Sequence, residues 1–160
     1  VNLILTKGDH AMNTSYGAIE RQLQSKGITS PTIRDVSDAV IAIRRAKLPD
    51  PEELGNSGSF FKNPVLNESE FNSFSKSHPE APYFKVGDGT VKIPAGWLIE
   101  NTGYKGKSLG NAGVHKDQAL VLVNLGGASG EEILKLARSI QKDVSQKYHI
   151  ELVPEVNILG

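Results

Sequence analysis

The chain has 160 residues, with 18 lysines and arginines against 18 aspartates and glutamates, and no cysteine. That length suits one domain, or two small units sharing a core. The charge balance leaves no basic field to draw the protein onto nucleic acid or an anionic membrane, and the missing cysteine removes disulfides, thiolate nucleophiles and zinc–thiolate sites together.

No apolar run reaches the ~20 residues that cross a bilayer. The first residues also lack the charged-then-apolar pattern of a secretory signal, so the expectation is a soluble, cytoplasmic protein. The opening Val1-Asn-Leu-Ile-Leu-Thr6 has the apolar, β-branched character of a strand that starts without a preceding turn or cap, and it reads as the first strand of an excised fragment. Asn13 to Ser15 can then cap a helix carrying Tyr16, Ile19 and Leu23, with Gly27 as its stop. After Pro31, Thr32 and Asp35 stand at capping-box spacing before a second helix on which Val36, Val40 and Ile43 recur at helical period until Pro49.

Residues 55–64, Gly-Asn-Ser-Gly-Ser-Phe-Phe-Lys-Asn-Pro, read as an irregular loop held against something: too rich in glycine for a regular element, too apolar at the centre for a solvated linker. Asn67 and Glu70 cap a short helix bearing Phe71 and Phe74, and Tyr83 to Ile93, broken by Gly87-Asp-Gly89, reads as a β-hairpin. Pro94 and Gly103 frame a further helix with Ala95, Leu98 and Ile99 inward. A second glycine-rich stretch, Gly103 to Gly113, leads through His115 and Gln118 to the apolar strand Leu120-Val-Leu-Val123. Ser129 and Glu132 box the longest helix, whose stripe is Ile133, Ala137, Ile140, Val144 and Tyr148, and Ile150 to Leu159 closes the chain as a strand. This order of elements predicts an α+β fold without regular βαβ alternation.

The four histidines, at 10, 78, 115 and 149, have no partner at a metal-ligand spacing, so no metal site is expected. Residues 55–62 do not match the phosphate-binding loop, and Gly58-Ser59 runs into Phe60, which excludes a Gly-x-Ser-x-Gly elbow. Two residues stand out. Ser59 follows Gly58 and precedes two phenylalanines, so its hydroxyl either turns the loop or delivers a proton from a site shielded from water. Glu155, set in the apolar Leu152-Val-Pro-Glu-Val-Asn-Ile-Leu159, either faces solvent from a strand or acts as an acid or electrostatic partner.

The string Arg44-Arg-Ala-Lys-Leu-Pro-Asp-Pro51 followed by Gly55-Asn-Ser-Gly-Ser-Phe-Phe-Lys-Asn-Pro64 resembles the signature of the UDP-N-acetylenolpyruvoylglucosamine reductases. So do Ala95-Gly-Trp-Leu-Ile-Glu100, Gly103-Tyr-Lys-Gly106, His115-Lys-Asp-Gln-Ala-Leu-Val-Leu-Val-Asn124 and Pro154-Glu-Val156, five ordered matches between Arg44 and Gly160. The resemblance implies a flavoenzyme of peptidoglycan synthesis in which NADPH reduces FAD and the hydride passes on to UDP-N-acetylglucosamine enolpyruvate. It implies Ser59 as the general acid and Glu155 as the stabiliser of the enol intermediate. It also implies Lys47, Asn63 and Gln118 on the substrate's pyrophosphate, Leu48 and Gly58 lining the same cleft, and Arg44 toward the flavin edge. Two positions depart from the family pattern: Phe84 stands where a tyrosine approaches the nucleotide, and Asn157 where a second arginine is often found.

In domain terms the resemblance implies that residues 1–48 are the end of an FAD-binding domain and residues 49–149 the substrate-binding domain. Residues 150–160 would be a strand returning to the flavin-binding part. The expected partners are then the substrate and the chain's own missing FAD-binding domain, and the fragment alone is expected to be colourless and inactive. A non-catalytic UDP-sugar-binding or regulatory module is the alternative, disfavoured because such a module needs neither Ser59 nor Glu155.

Overall fold

The computed structural model describes residues 2–5, 7, 8, 11–15, 18–87 and 89–159. By its contacts the chain divides into two compact units, Val1–Lys47 and Leu48–Gly160.

The first unit is a helix pair, α1 (Ile19–Ser25) and α2 (Ile33–Lys47). Ile19, Leu23 and Ala39 are buried between them, with Ile28, Val36, Val40 and Ile43 packed around, which is the face that a 3.6-residue period predicts. The Thr32–Asp35 box is formed: Asp35 Oδ2 accepts from the Thr32 N–H at 2.8 Å, and Thr32 Oγ1 accepts from the Asp35 N–H at 3.3 Å. The hydrogen bonds from Thr32 hold the Asp35 carboxyl below the usual carboxylate range. Two expectations fail here. Residues 2–5 form no strand, and Leu3, Ile4 and Leu5 are exposed, because apolar β-branched sequence makes a strand only where a neighbouring backbone completes the ladder. Asn13 does not cap α1 either: its carboxamide turns back on Ser15, accepting from the Ser15 N–H at 3.1 Å and hydroxyl at 2.8 Å, and the helix starts after Ala18 without a side-chain cap. Val1, Thr6, His10 and Tyr16 lie outside the described residues.

The second unit carries β1 (Gly55–Ser59), β2 (Val65–Leu66), α3 (Glu68–Ser77), β3 (Phe84–Lys85), β4 (Val91–Lys92) and α4 (Ala95–Asn101). It continues through β5 (Ser108–Leu109), β6 (Ala112–Val114), β7 (Val121–Asn124) and α5 (Gly130–Tyr148). One antiparallel sheet runs β1-β7-β6-β5 and a smaller one β2-β4-β3. Two antiparallel sheets with helices make this the expected α+β fold.

α5 lies against β6, β7 and α4, burying Leu136, Ala137, Ile140, Val144 and Tyr148 in a core with Leu98, Ile99, Leu122 and Ile93. The Asn67–Glu70 and Ser129–Glu132 boxes both form, at 2.8 to 3.2 Å in each direction. Ser129 and the Asn111 backbone hold the Glu132 carboxyl below its ordinary range. The loop that follows α4 is pinned by Tyr104, whose hydroxyl donates to Asp143 Oδ2 at 2.7 Å. Burial first, then that neighbouring carboxylate, push the phenol up to about 12.

Residues 55–59 are a strand and not an irregular loop. Glycine and serine carry no alternating apolar signal, but Val121 and Val123 of β7 supply the partner backbone and the buried side chains. Residues 150–159, in contrast, do not form a regular strand: the only pairing there is a bridge between Pro154 and Phe61. The bridge is made by the Lys62 N–H to the Val153 carbonyl and the Glu155 N–H to the Phe60 carbonyl, neither of which uses the N–H that Pro154 lacks, and no further pair extends it into a strand.

Candidate active site

The stretch carrying Ser59 is shaped by two departures from a regular strand. In the β1–β7 ladder Asn56 faces Val123 and Ser59 faces Val121, so two residues, Ser57 and Gly58, stand opposite the single Leu122. This is a β-bulge, and Gly58 makes it with a φ of +73°, a conformation that costs a residue with a Cβ on the order of 1 kcal/mol. A Cβ on Gly58 would meet nothing within 4 Å, so glycine is required there by the backbone and not by space.

The second departure comes one residue after Ser59. In a regular strand the N–H and C=O of one residue point to the same side. At Phe60 they go to different partners: the N–H donates to the Leu120 carbonyl and the carbonyl accepts from the Glu155 N–H, both at 2.8 Å. The backbone therefore twists at Phe60, leaving β7 for the chain's last segment. The twist also explains why the adjacent Phe60 and Phe61 are both buried, where a two-residue period would expose one of them. Their rings meet edge to face at 5.1 Å, and Ser59 emerges exposed beside them.

These bonds gather residues far apart in sequence. The Phe60–Glu155 hydrogen bond, followed by the Lys62 N–H to Val153 carbonyl bond at 2.9 Å, sets Glu155 beside Phe60 and one step from Ser59. Glu155 is exposed. Gln118 lies in the turn that opens β7, its carbonyl accepting from the Val121 N–H at 3.0 Å, and Val121 is the residue paired with Ser59.

Asn63 reaches the same end of the sheet from the other side. Its Oδ1 accepts from the Ala95 N–H at 2.8 Å and so caps α4, whose Pro94 offers no side-chain cap. That bond fixes the carboxamide's orientation and directs its two N–H groups away from the helix. The next helical residue, Gly96, sits where a Cβ would come 3.5 Å from Leu120 Cγ, which locks the first turn of α4 onto the residue that receives the Phe60 N–H.

Gly58, Ser59, Asn63, Gln118 and Glu155 thus collect around the end of β1 where the chain twists. The half-buried Leu48 precedes Pro49, whose carbonyl accepts from Asn56 Nδ2 at 3.3 Å. Arg44 and Lys47 belong to the first unit, as exposed residues in the last turn of α2, where cations suit the carbonyl end of the helix. Phe84 and Tyr83 are exposed on and beside the edge strand β3.

In chemical terms the second unit offers an exposed hydroxyl at the bulged end of β1, a carboxylate on the neighbouring segment, and two carboxamides. A cavity of about 530 Å³ between α3 and the end of α5 is lined by other residues, among them Ser73, His78 and Lys147.

Residues 50–159 match the model of the UDP-N-acetylenolpyruvoylglucosamine reductase C-terminal domain. The UDP-N-acetylenolpyruvoylglucosamine reductase of Flavobacterium johnsoniae is 56% identical over 155 residues, which are 97% of this chain and 46% of that protein. The protein of the same name from an Azoarcus species is 51% identical over 140 residues, 88% of this chain and 40% of that one. Among solved structures, that of UDP-N-acetylenolpyruvylglucosamine reductase (MurB) from Thermus caldophilus aligns with 78% of this chain and 33% of its own, at 24% identity and a TM-score of 0.48. The chain thus spans less than half the length of the curated relatives it matches.

Proposed function

The chain belongs to the UDP-N-acetylenolpyruvoylglucosamine reductase family through its C-terminal domain, and from that premise we propose that it is the substrate-binding part of a reductase making UDP-N-acetylmuramate for peptidoglycan in the cytoplasm. The proposed substrate is UDP-N-acetylglucosamine enolpyruvate. FAD, reduced by NADPH, supplies the hydride that adds to the enolpyruvyl double bond. Arg44 is the residue of this chain assigned to the flavin edge, and an exposed guanidinium in the last turn of α2 can set charge near a flavin but cannot enclose one. FAD binding accordingly falls to the remainder of the protein, with residues 1–48 as the end of that domain, residues 49–149 as the substrate domain, and residues 150–160 returning toward the flavin-binding part.

Ser59 then has one task. Hydride addition leaves an enol or enolate conjugated with the carboxylate, and a proton must reach the other carbon of the former double bond. The Ser59 hydroxyl, exposed at the end of β1, gives up that proton once bound substrate and the remainder of the protein cover it. Glu155 acts from the neighbouring segment on the charge that develops in the enol. Lys47, Asn63 and Gln118 hold the pyrophosphate, an acceptor-only group suited to ammonium and carboxamide donors, and Leu48 and Gly58 line the cleft.

The observation that supports this reading is the hydrogen bond from the Glu155 N–H to the Phe60 carbonyl, which sets the segment carrying Glu155 against the end of β1 that carries Ser59, across 96 positions of sequence, from 59 to 155. Its test is Ser59→Ala in the full-length, flavin-loaded enzyme, followed by stopped-flow absorbance. NADPH should bleach the flavin at a near-normal rate, while reoxidation by the UDP-enolpyruvyl sugar slows by roughly 10²- to 10⁴-fold, the usual worth of a positioned general acid. Unchanged reoxidation in a folded, flavin-loaded variant removes Ser59 from the mechanism.

A further inference from the structure

We propose that Asn56 is a positioning residue for Ser59, whose carboxamide holds the β1 bulge in register and thereby decides which face of the sheet the Ser59 hydroxyl leaves from. The proposal rests on the reading of Ser59 as the proton donor.

Asn56 is half-buried and uses both ends of its carboxamide. Oδ1 accepts from the Gly58 N–H at 3.0 Å, closing a turn over the bulge, while Nδ2 donates to the Leu54 carbonyl at 2.8 Å and the Pro49 carbonyl at 3.3 Å. One side chain therefore ties the bulge to the segment that enters the strand and to the residue after Leu48. Opposite the two bulge residues stands Leu122 alone, whose buried side chain belongs to the core under α5.

The bulge matters because side chains alternate along a strand. If Ser57 and Gly58 stopped sharing one partner, everything after them would slip by one residue, and a one-residue slip moves each side chain to the opposite face. Ser59 is the first residue past the bulge, so it would turn first. Phe60 and Phe61 resist the slip through their burial and through the Leu120 and Glu155 bonds, which leaves Gly58, already in the left-handed region, as the compliant point. A carboxamide that accepts from the Gly58 N–H removes that compliance. Asparagine and aspartate are the residues that close such a turn, and of the two only asparagine also donates to Leu54 and Pro49.

The test uses the full-length, flavin-loaded enzyme and compares Asn56→Ala, Asn56→Asp, Ser59→Ala and the Asn56→Ala/Ser59→Ala double variant in the two half-reactions. With Asn56→Ala, flavin reduction by NADPH should stay within about twofold of normal while reoxidation by the UDP-enolpyruvyl sugar slows by roughly 10- to 100-fold. The double variant should be no slower than Ser59→Ala alone, because a misplaced hydroxyl and a missing one fail alike. Asn56→Asp keeps the acceptor for Gly58 and should recover most of the lost rate. Amide hydrogen exchange at Gly58, read without turnover, should quicken in Asn56→Ala and return in Asn56→Asp. Should Asn56→Ala fail to load flavin, Asn56→Gln, which folds the longer carboxamide out of reach of Gly58, replaces it with the same expected values. Normal reoxidation in a folded Asn56→Ala or Asn56→Gln enzyme, or a double variant slowed by the product of the single effects, overturns the proposal. A Ser59→Ala enzyme that reoxidises normally instead overturns the reading beneath it, so the two failures are told apart.

Discussion

The two units differ in how they are held together. Among the described residues, the helix pair of Val1–Lys47 has three buried apolar side chains, whereas Leu48–Gly160 has a core cluster of twenty-one. Burying one such side chain contributes roughly 1.5 to 3 kcal/mol against the entropy of ordering the chain, so only the second unit has the material for a rigid scaffold. The proposed proton donor and its carboxylate partner sit on that scaffold, where a bulge and a twist can be held against their tendency to relax. Arg44 and Lys47 lie instead in the last turn of α2, in the helix pair.

The comparison breaks most readily in the cores. Ile140→Ala, at a position with no exposure in the middle of α5, should cost about 4 kcal/mol, because the surrounding layers cannot collapse into the space. Leu23→Ala in the helix pair should cost about 2 kcal/mol, since a neighbourhood of partly buried residues relaxes around it. Urea denaturation of the two variants checks the difference, and equal losses would mean that the units are equally well packed.

A smaller effect separates the loop after α4 from both cores. Tyr104→Phe deletes the hydrogen bond to Asp143 and should cost on the order of 1 kcal/mol at neutral pH. Its pH signature is more specific. The phenol is raised from 10.0 to about 12 in the folded protein, so the fold binds a proton that the unfolded chain gives up. The stabilisation is therefore complete below about pH 10 and is lost as pH rises toward 12. Alkaline unfolding midpoints should show that loss in the parent and much less of it in Tyr104→Phe.

Smallest are the caps, where the two units should behave alike. Thr32→Ala and Ser129→Ala each remove an acceptor from a helix N-terminus and should cost about 1 kcal/mol. Asp35 and Glu132 have lowered carboxyls in the fold, so their contribution is present above the usual carboxylate pKa and fades as pH falls below it. Thermal melts between pH 3 and pH 6, an interval set around the ordinary carboxylate range of ~4, should shift less in each alanine variant than in the parent.

What could be read along the chain follows the range of the interactions involved. Thr32–Asp35, Asn67–Glu70 and Ser129–Glu132 were legible because a capping box closes within one helical turn, and the α5 stripe because its period is local. The strand Gly55–Ser59 was not, since nothing in Gly-Asn-Ser-Gly-Ser alternates. The apolar character at residues 2–5 and 150–159 misled for the converse reason, suggesting strands where no continuous ladder exists. Ser59 and Glu155 became more than a loop serine and a strand glutamate only through the family resemblance, and nothing along the chain marked Asn56.

Local chemistry therefore settled the helices, the capping boxes of α2, α3 and α5, the hairpin at Tyr83 to Ile93 and the α+β class, because each depends on residues a few positions apart. Tertiary structure decided that Phe60 divides its N–H and C=O between Leu120 and Glu155, that Ser57 and Gly58 share Leu122, and that Asn63 spends its oxygen on α4. Each of those bonds joins segments more than thirty residues apart in sequence, as Asn63 and Ala95 are at 32, and their geometry comes into being only when the core under α5 closes.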